Sequence, residues 1–174
     1  MREEKSLIQC FLVIFMKIIE EFNYRNAKEI IQQNNSELLN EIYEILNNGS
    51  IKLEIKENKH QRDTSDQIQQ IFLSKDWNKE VHSKAVPGMK YDLVKDKDFP
   101  VEIEIGHMRL VYADFFEFLA DYSKGFIKAG IMIVCNDPLK FGHTWHNSLK
   151  STKNKIEAIK ESFLTPILVI GIDP

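Results

Sequence analysis

Several things are scarce in this sequence, and each scarcity removes a class of explanation. Cysteine occurs only twice, as Cys10 and Cys135, each inside an apolar run. Two such thiols build neither a disulfide framework nor a zinc site, and they suit a reducing compartment such as the cytoplasm. Long hydrophobic runs are also missing. The stretch from Leu7 to Met16 is broken by Gln9 and followed by Lys17. It falls short of the roughly 20 apolar residues that a bilayer-spanning helix needs. No small-residue cleavage site follows it, which argues against a secretory signal. No membrane partner is therefore expected. Charge of one sign is lacking too: 23 Lys and Arg stand against 26 Asp and Glu, for a net charge of −3. That balance does not advertise a nucleic-acid binder, although acidic catalytic groups can offset a local basic surface. No repeat, linker or low-complexity segment divides the chain.

What is present suits one domain with a real core: 174 residues, 43% hydrophobic and 28% charged. Residues 7–22 are rich in Ile, Phe and Val and fit either a helix or a strand. Residues 25–33 and 37–47 carry apolar residues at helical spacing, and Asn47-Asn48-Gly49 stops the second helix. Residues 51–56 alternate as a strand. Thr64 and Gln67 suit a capping box for a helix running to Trp77. Val111, Phe115, Phe118 and Tyr122 mark one face of a helix that Gly125 ends. Phe126 to Cys135 reads as a strand buried on both faces. After a turn at Asp137-Pro138, Leu149, Ile156, Ile159 and Phe163 mark a helix that ends before Pro166, and 167–172 is a last buried strand. This order predicts an α/β fold, a mixed β-sheet flanked by α-helices.

The chemistry is concentrated between Tyr91 and Ile105. Two strand-like runs, Tyr91-Asp92-Leu93-Val94 and Val101-Glu102-Ile103-Glu104-Ile105, flank a polar connector ending in Pro100. That pattern predicts a hairpin. Folding the chain about Lys97 places Asp92 opposite Glu102, and residues opposite each other share a face with Cβ atoms about 5 Å apart. Glu104 shares that face because side chains alternate along a strand. Three converging carboxylates repel unless a cation lies between them. A hard divalent ion such as Mg²⁺, bound by oxygen ligands, fits that need. The same alternation also suits a half-buried strand with a solvated face.

This layout resembles the PD-(D/E)XK nuclease motif, with Glu104 where a lysine usually stands. The wider chain resembles the BglII/BstYI-type restriction endonucleases, related to BamHI. The resemblance rests on Phe22-Asn23-Tyr24-Arg25-Asn26-Ala27-Lys28-Glu29-Ile30-Ile31, Leu39-Asn40-Glu41-Ile42, Ser74-Lys75-Asp76-Trp77, the acidic hairpin, Lys128 to Val134, and Pro166 to Gly171. Order and spacing agree from about Met16 to Gly171. Residues 1–15 lie outside the resemblance as an extra N-terminal segment, with Met16 as an alternative start. The resemblance implies a single restriction-endonuclease-like catalytic domain. Its expected activity is Mg²⁺-dependent hydrolysis of double-stranded DNA at a short palindromic site, with Mn²⁺ as a possible substitute metal. Asp92, Glu102 and the Ile103 carbonyl would hold the metal, Glu104 would orient or deprotonate the attacking water, and Glu80 would assist. A glutamate at position 104 is the BamHI-like form. Family members act as homodimers, and a methyltransferase acting on the same site is an expected companion.

Cations for DNA phosphates are expected in two places. One is the loop with Lys56, Lys59, His60 and Arg62. The other is the 140–160 region, with Lys140, Lys150, Lys153, Lys155 and Lys160. A solvated helix face has the same composition. His143 and His146 lack the partners of a zinc site, and His107 follows the hairpin. The chain ends just past the late strand, where larger relatives continue. That favours a first rival, a same-fold nuclease in repair or defence without sharp specificity; the second rival is a non-enzymatic binding module, either a catalytically decayed endonuclease or a protein-interaction domain.

Overall fold

The computed structural model describes residues 14–47, 52–53, 61–106, 108–141 and 146–174; the side chains of 14–15, 52–53 and 61–63 are not described. The described elements, in chain order, are β1 (Ile14–Phe15), β2 (Lys17–Tyr24), α1 (Ala27–Asn47), β3 (Lys52–Leu53), α2 (Gln61–Leu73), β4 (Asn78–His82), β5 (Lys90–Val94), β6 (Val101–Ile103), α3 (Val111–Ser123), β7 (Gly130–Cys135), α4 (Leu149–Ala158) and β8 (Ile167–Asp173). A single 3₁₀ turn, Pro138–Phe141, follows β7.

Six strands form one mixed sheet in the order β2-β8-β7-β6-β5-β4. The central strands β6, β7 and β8 run parallel, and the outer pairs are antiparallel. Alternation along β7 explains why it is buried on both faces. Ile131, Ile133 and Cys135 enter the core under α1 and α2, and Met132 and Val134 enter the core under α3 and α4. The same rule decides the orientation of β6. Val101, Ile103 and Ile105 belong to the α1/α2 core, so Glu102 and Glu104 face the α3 layer.

Several expectations acquire sharper boundaries. The ambiguous N-terminal run is strand from Ile14 onward, with 7–13 outside the described residues. The two early helices are halves of α1, broken at Asn35 (φ −155, ψ 77). The Asn35 Oδ1 accepts the Leu38 N–H at 3.1 Å and so caps the second half. The capping box at Thr64 is not used, because α2 already includes Gln61. That helix ends at Leu73 rather than Trp77: Asp76 turns left-handed (φ 64), and the Trp77 N–H returns to the Phe72 carbonyl. Of the predicted strand 51–56, Lys52–Leu53 is described and pairs with β1.

The strand expected from Phe126 begins only at Gly130. Gly130 lies so close to the Phe118 ring that an added Cβ would sit 2.7 Å from it, a close approach that glycine permits. Gly125, at φ 70, closes α3 as expected. The last helix stops at Ala158. Phe163 is buried from the following turn, stacking near Tyr24 and Phe115.

Candidate active site

The connector of the hairpin is built by its own side chains. The Asp96 Oδ1 accepts the Asp98 N–H at 2.9 Å, and the Phe99 N–H closes on the Asp96 carbonyl at 3.0 Å. Phe99 is buried below it. This turn sets Leu93 opposite Val101, which places Asp92 opposite Glu102, the register read from the sequence.

The two carboxylates interlock with the opposite backbone. The Asp92 N–H points at Glu102 Oε2 (3.4 Å), and the Ile103 N–H donates to Asp92 Oδ2 (2.8 Å). Because the Glu104 N–H bonds the Ile133 carbonyl on β7, Ile103 directs its backbone groups to the β5 side, where Asp92 stands. The Gln69 side chain, from α2, donates to Asp92 Oδ1 at 3.2 Å. These groups line a cleft of about 520 Å³ together with Ser65, Asp66, Lys79, Glu80, Lys90, Glu104, Gly106 and Asp114. The cleft opens between α2 and α3, where β5 and β6 part.

The electrostatics are those of crowded acids in a desolvated site. Glu102 is only 5% exposed and Glu104 9%. Burial pushes the Glu102 carboxyl well above the usual range, and the Asp92 charge adds to the push. Asp92 itself is raised by burial, against the pull of the Ile103 N–H. Glu104 is raised to about 7, mainly by burial; the Gly106 N–H and the Lys155 charge hold it down, and Asp92 pushes it up.

Asp114 was missed in the sequence. It projects from the first turn of α3, hydrogen-bonds Glu104, and is raised to about 8 by burial and by the Glu104, Asp92 and Glu117 charges. Its Oδ2 is buried with no hydrogen-bond partner, as is Oε1 of Glu117 one turn on. The signal was present: Asp114, Glu117 and Asp121 step by three and four, immediately beside the apolar stripe of Val111, Phe115 and Phe118. Asp121 serves the scaffold. It accepts the Tyr91 hydroxyl (2.8 Å) and the Ala85 N–H (2.6 Å), tying the loop before β5 to α3.

Glu80 lies on the cleft rim. It falls between the pairs Lys79–Leu93 and Val81–Tyr91, hence across from Asp92, where its left-handed backbone (φ 53) interrupts the ladder. It is ion-paired with Lys90 at 3.1 Å, and its charge raises Asp92.

The expected DNA-contacting cations are scattered. Lys56 and Lys59 fall outside the described residues, as do His60, His107 and His143, and Arg62 lies in the first turn of α2 with its side chain undescribed. Lys140 is bound to the buried Asp173 at 2.7 Å. Lys153 packs over the Phe22 ring on β2 (5.3 Å). Lys150 lines a second groove of about 480 Å³ with Tyr112, Ser148, Ser151, Asn154 and Lys155. His146 is buried. Among the described residues, no three Asp, Glu, His or Cys side chains close tightly enough to cage an ion by themselves. No described helix is long and apolar enough to cross a membrane.

A mixed sheet with helices on both faces and a carboxylate hairpin at its opening is the architecture of a restriction-endonuclease-type nuclease. Solved structures share it, among them two of BglII. The crystal structure of restriction endonuclease BglII complexed with a DNA 16-mer superposes with a TM-score of 0.62 at 17% identity, covering 91% of this chain and 76% of that one. Free BglII gives a TM-score of 0.57 at 18% identity, covering 91% and 79%. The family model for restriction endonuclease BglII/BglIII matches residues 19–172, and the chain belongs to that family. No curated protein matches it.

Proposed function

We propose that the protein is a divalent-metal-dependent DNA endonuclease that cuts duplex DNA at a short palindromic site as a homodimer. The observation that carries this reading is the register of Asp92 against Glu102, with Glu104 just past the end of β6 and turned to the same face, its N–H on the Ile133 carbonyl of β7. The acid set fits a hard cation. Its members are raised by burial and mutual repulsion, and the buried Asp114 Oδ2 in the cleft lacks any hydrogen-bond partner.

Asp92, Glu102 and the Ile103 carbonyl would hold Mg²⁺ or Mn²⁺, with water completing the shell. Bound there, the metal supplies charge relief at the leaving oxygen and lowers the cost of forming hydroxide from water. Glu104, buried beside Asp92 and Glu102, would take or steer the proton of the attacking water. Gln69 fixes the Asp92 carboxylate, and Asp114 donates to Glu104 while it remains protonated. Glu80 adds negative charge at the rim. Among the expected phosphate contacts whose side chains are described, Lys150 lines the second groove and would meet phosphate there.

The apolar side chains Leu110, Tyr112 and Phe116 are exposed on α3 and beside it, which supports a subunit contact there. Two-fold symmetry in such a dimer suits a palindromic site, and a methyltransferase protecting the same site is its natural companion. The test is digestion of plasmid DNA with Mg²⁺ and with EDTA. Discrete bands that need Mg²⁺ support the reading. A Mg²⁺-dependent smear replaces it with a non-specific nuclease, and intact plasmid under all conditions overturns it.

A further inference from the structure

The strand of acids raises a question of balance. Of the two lysines lining the cleft, Lys90 is already paired with Glu80. Another cation stands behind the cleft wall. Lys155, on α4, has its Nζ 2.6 Å from Ser151 Oγ and 3.1 Å from Asn147 Oδ1. The Tyr112 ring covers it from a further side at 5.8 Å. Asn147 is fully buried and doubly anchored. Its N–H donates to the Gly106 carbonyl (2.8 Å), and its Nδ2 donates to Thr152 Oγ1 (2.8 Å). Gly106 in turn gives its N–H to the Glu104 carboxylate. A continuous set of hydrogen bonds therefore runs from Glu104 through Gly106 and Asn147 to Lys155.

We propose that Lys155 is a positioning residue of the active site, its half-buried ammonium held by Asn147 and Ser151 so as to draw the Glu104 carboxylate toward α4 and balance its charge. This rests on the nuclease reading above. An ordinary helix-surface lysine would extend into water; this one is half-buried at a cost that lowers its proton affinity, and the Glu104 charge offsets part of that cost. The attraction is mutual: among the described residues, Lys155 is the cation that bears most on Glu104. The consequence is a division of labour. With Glu104 drawn toward α4, Asp92 and Glu102 are left to hold a cation, and Glu104 is presented to water rather than collapsed onto the metal.

The test compares wild type, Lys155→Met and Lys155→Arg. Mg²⁺ affinity is measured by calorimetry, duplex affinity in Ca²⁺, and single-turnover cleavage of pre-bound duplex in Mg²⁺. Methionine keeps the length and removes the charge. Lys155→Met is expected to bind Mg²⁺ roughly threefold to tenfold more tightly, because a nearby positive charge is gone. Its cleavage step is expected to slow by at least about tenfold while duplex affinity stays within about threefold. Lys155→Arg is expected to recover most of both. Tighter metal with slower chemistry is a signature that simple loss of packing does not give. The proposal is overturned if Lys155→Met leaves Mg²⁺ affinity and cleavage unchanged. It is also overturned if arginine fails to rescue, or if only duplex affinity falls, as for a plain phosphate contact. Wild-type protein that cleaves nothing overturns the nuclease reading instead. The Mg²⁺ shift then still decides whether the ammonium acts on the carboxylates.

Discussion

Asp92 and Glu102 face each other across the β5–β6 hairpin, and each reaches the other's strand: the Ile103 N–H donates to Asp92 Oδ2 at 2.8 Å, and the Asp92 N–H points at Glu102 Oε2 at 3.4 Å. Two acids this close in a buried site are unfavourable unless protonated or bridged by a cation. On the proposed reading, the pair is where the metal would sit.

Removing either member should remove that seat. Asp92→Ala and Glu102→Ala are each expected to lower Mg²⁺ affinity by at least about tenfold, the scale of one lost charge in a partly desolvated site. Isothermal calorimetry gives the answer directly. Unchanged affinity in both variants would place the metal elsewhere.

Stability should depend on pH in a direction opposite to that of an ordinary salt-bridged protein. Glu104 is raised from 4.5 to about 7 and Asp114 from 3.8 to about 8. Across that window the folded chain holds protons that the unfolded chain has released, so these groups lower stability as pH rises from about 4 to about 8. Thermal melts in EDTA should fall through this range, and Mg²⁺ should restore the loss at the alkaline end. Asp114→Asn, which cannot ionise, should flatten the fall. Melting temperatures that climb steadily with pH in EDTA would contradict this.

The hairpin was legible in the sequence because a polar connector ending in Pro100 leaves few ways to fold back, and strand alternation then fixes which side chains meet. The central strands were legible for the same local reason. Asp114 was not, because its role depends on how α3 lies over the sheet, and that packing is tertiary. The break after Leu73 depends on a left-handed Asp76, which a helical pattern conceals. The late start of β7 depends on the Phe118 ring against Gly130. The inward hold on Lys155 depends on Asn147 and Ser151, and the spacing of lysines along the helix does not reveal it.

Association is expected to follow the exposed apolar residues Leu110, Tyr112 and Phe116. Light scattering at micromolar concentration should report twice the chain mass of 20.4 kDa. Phe116→Glu should shift the population toward monomer, because an unpaired charge in an apolar contact is costly. A monomer with and without DNA would remove the dimer from the account.

The most direct measurement of the central claim is single-turnover cleavage of a pre-bound duplex by wild type and Glu104→Gln in Mg²⁺. Glutamine keeps the shape and hydrogen bonding of the side chain and removes its ability to take a proton. Duplex binding should survive or tighten, since a charge that repels phosphate is gone. Cleavage should fall by roughly 100-fold or more, the usual scale for a lost general base. Wild-type cleavage in Glu104→Gln would contradict the account, leaving Glu104 a buried residue past the end of β6 with no part in the chemistry.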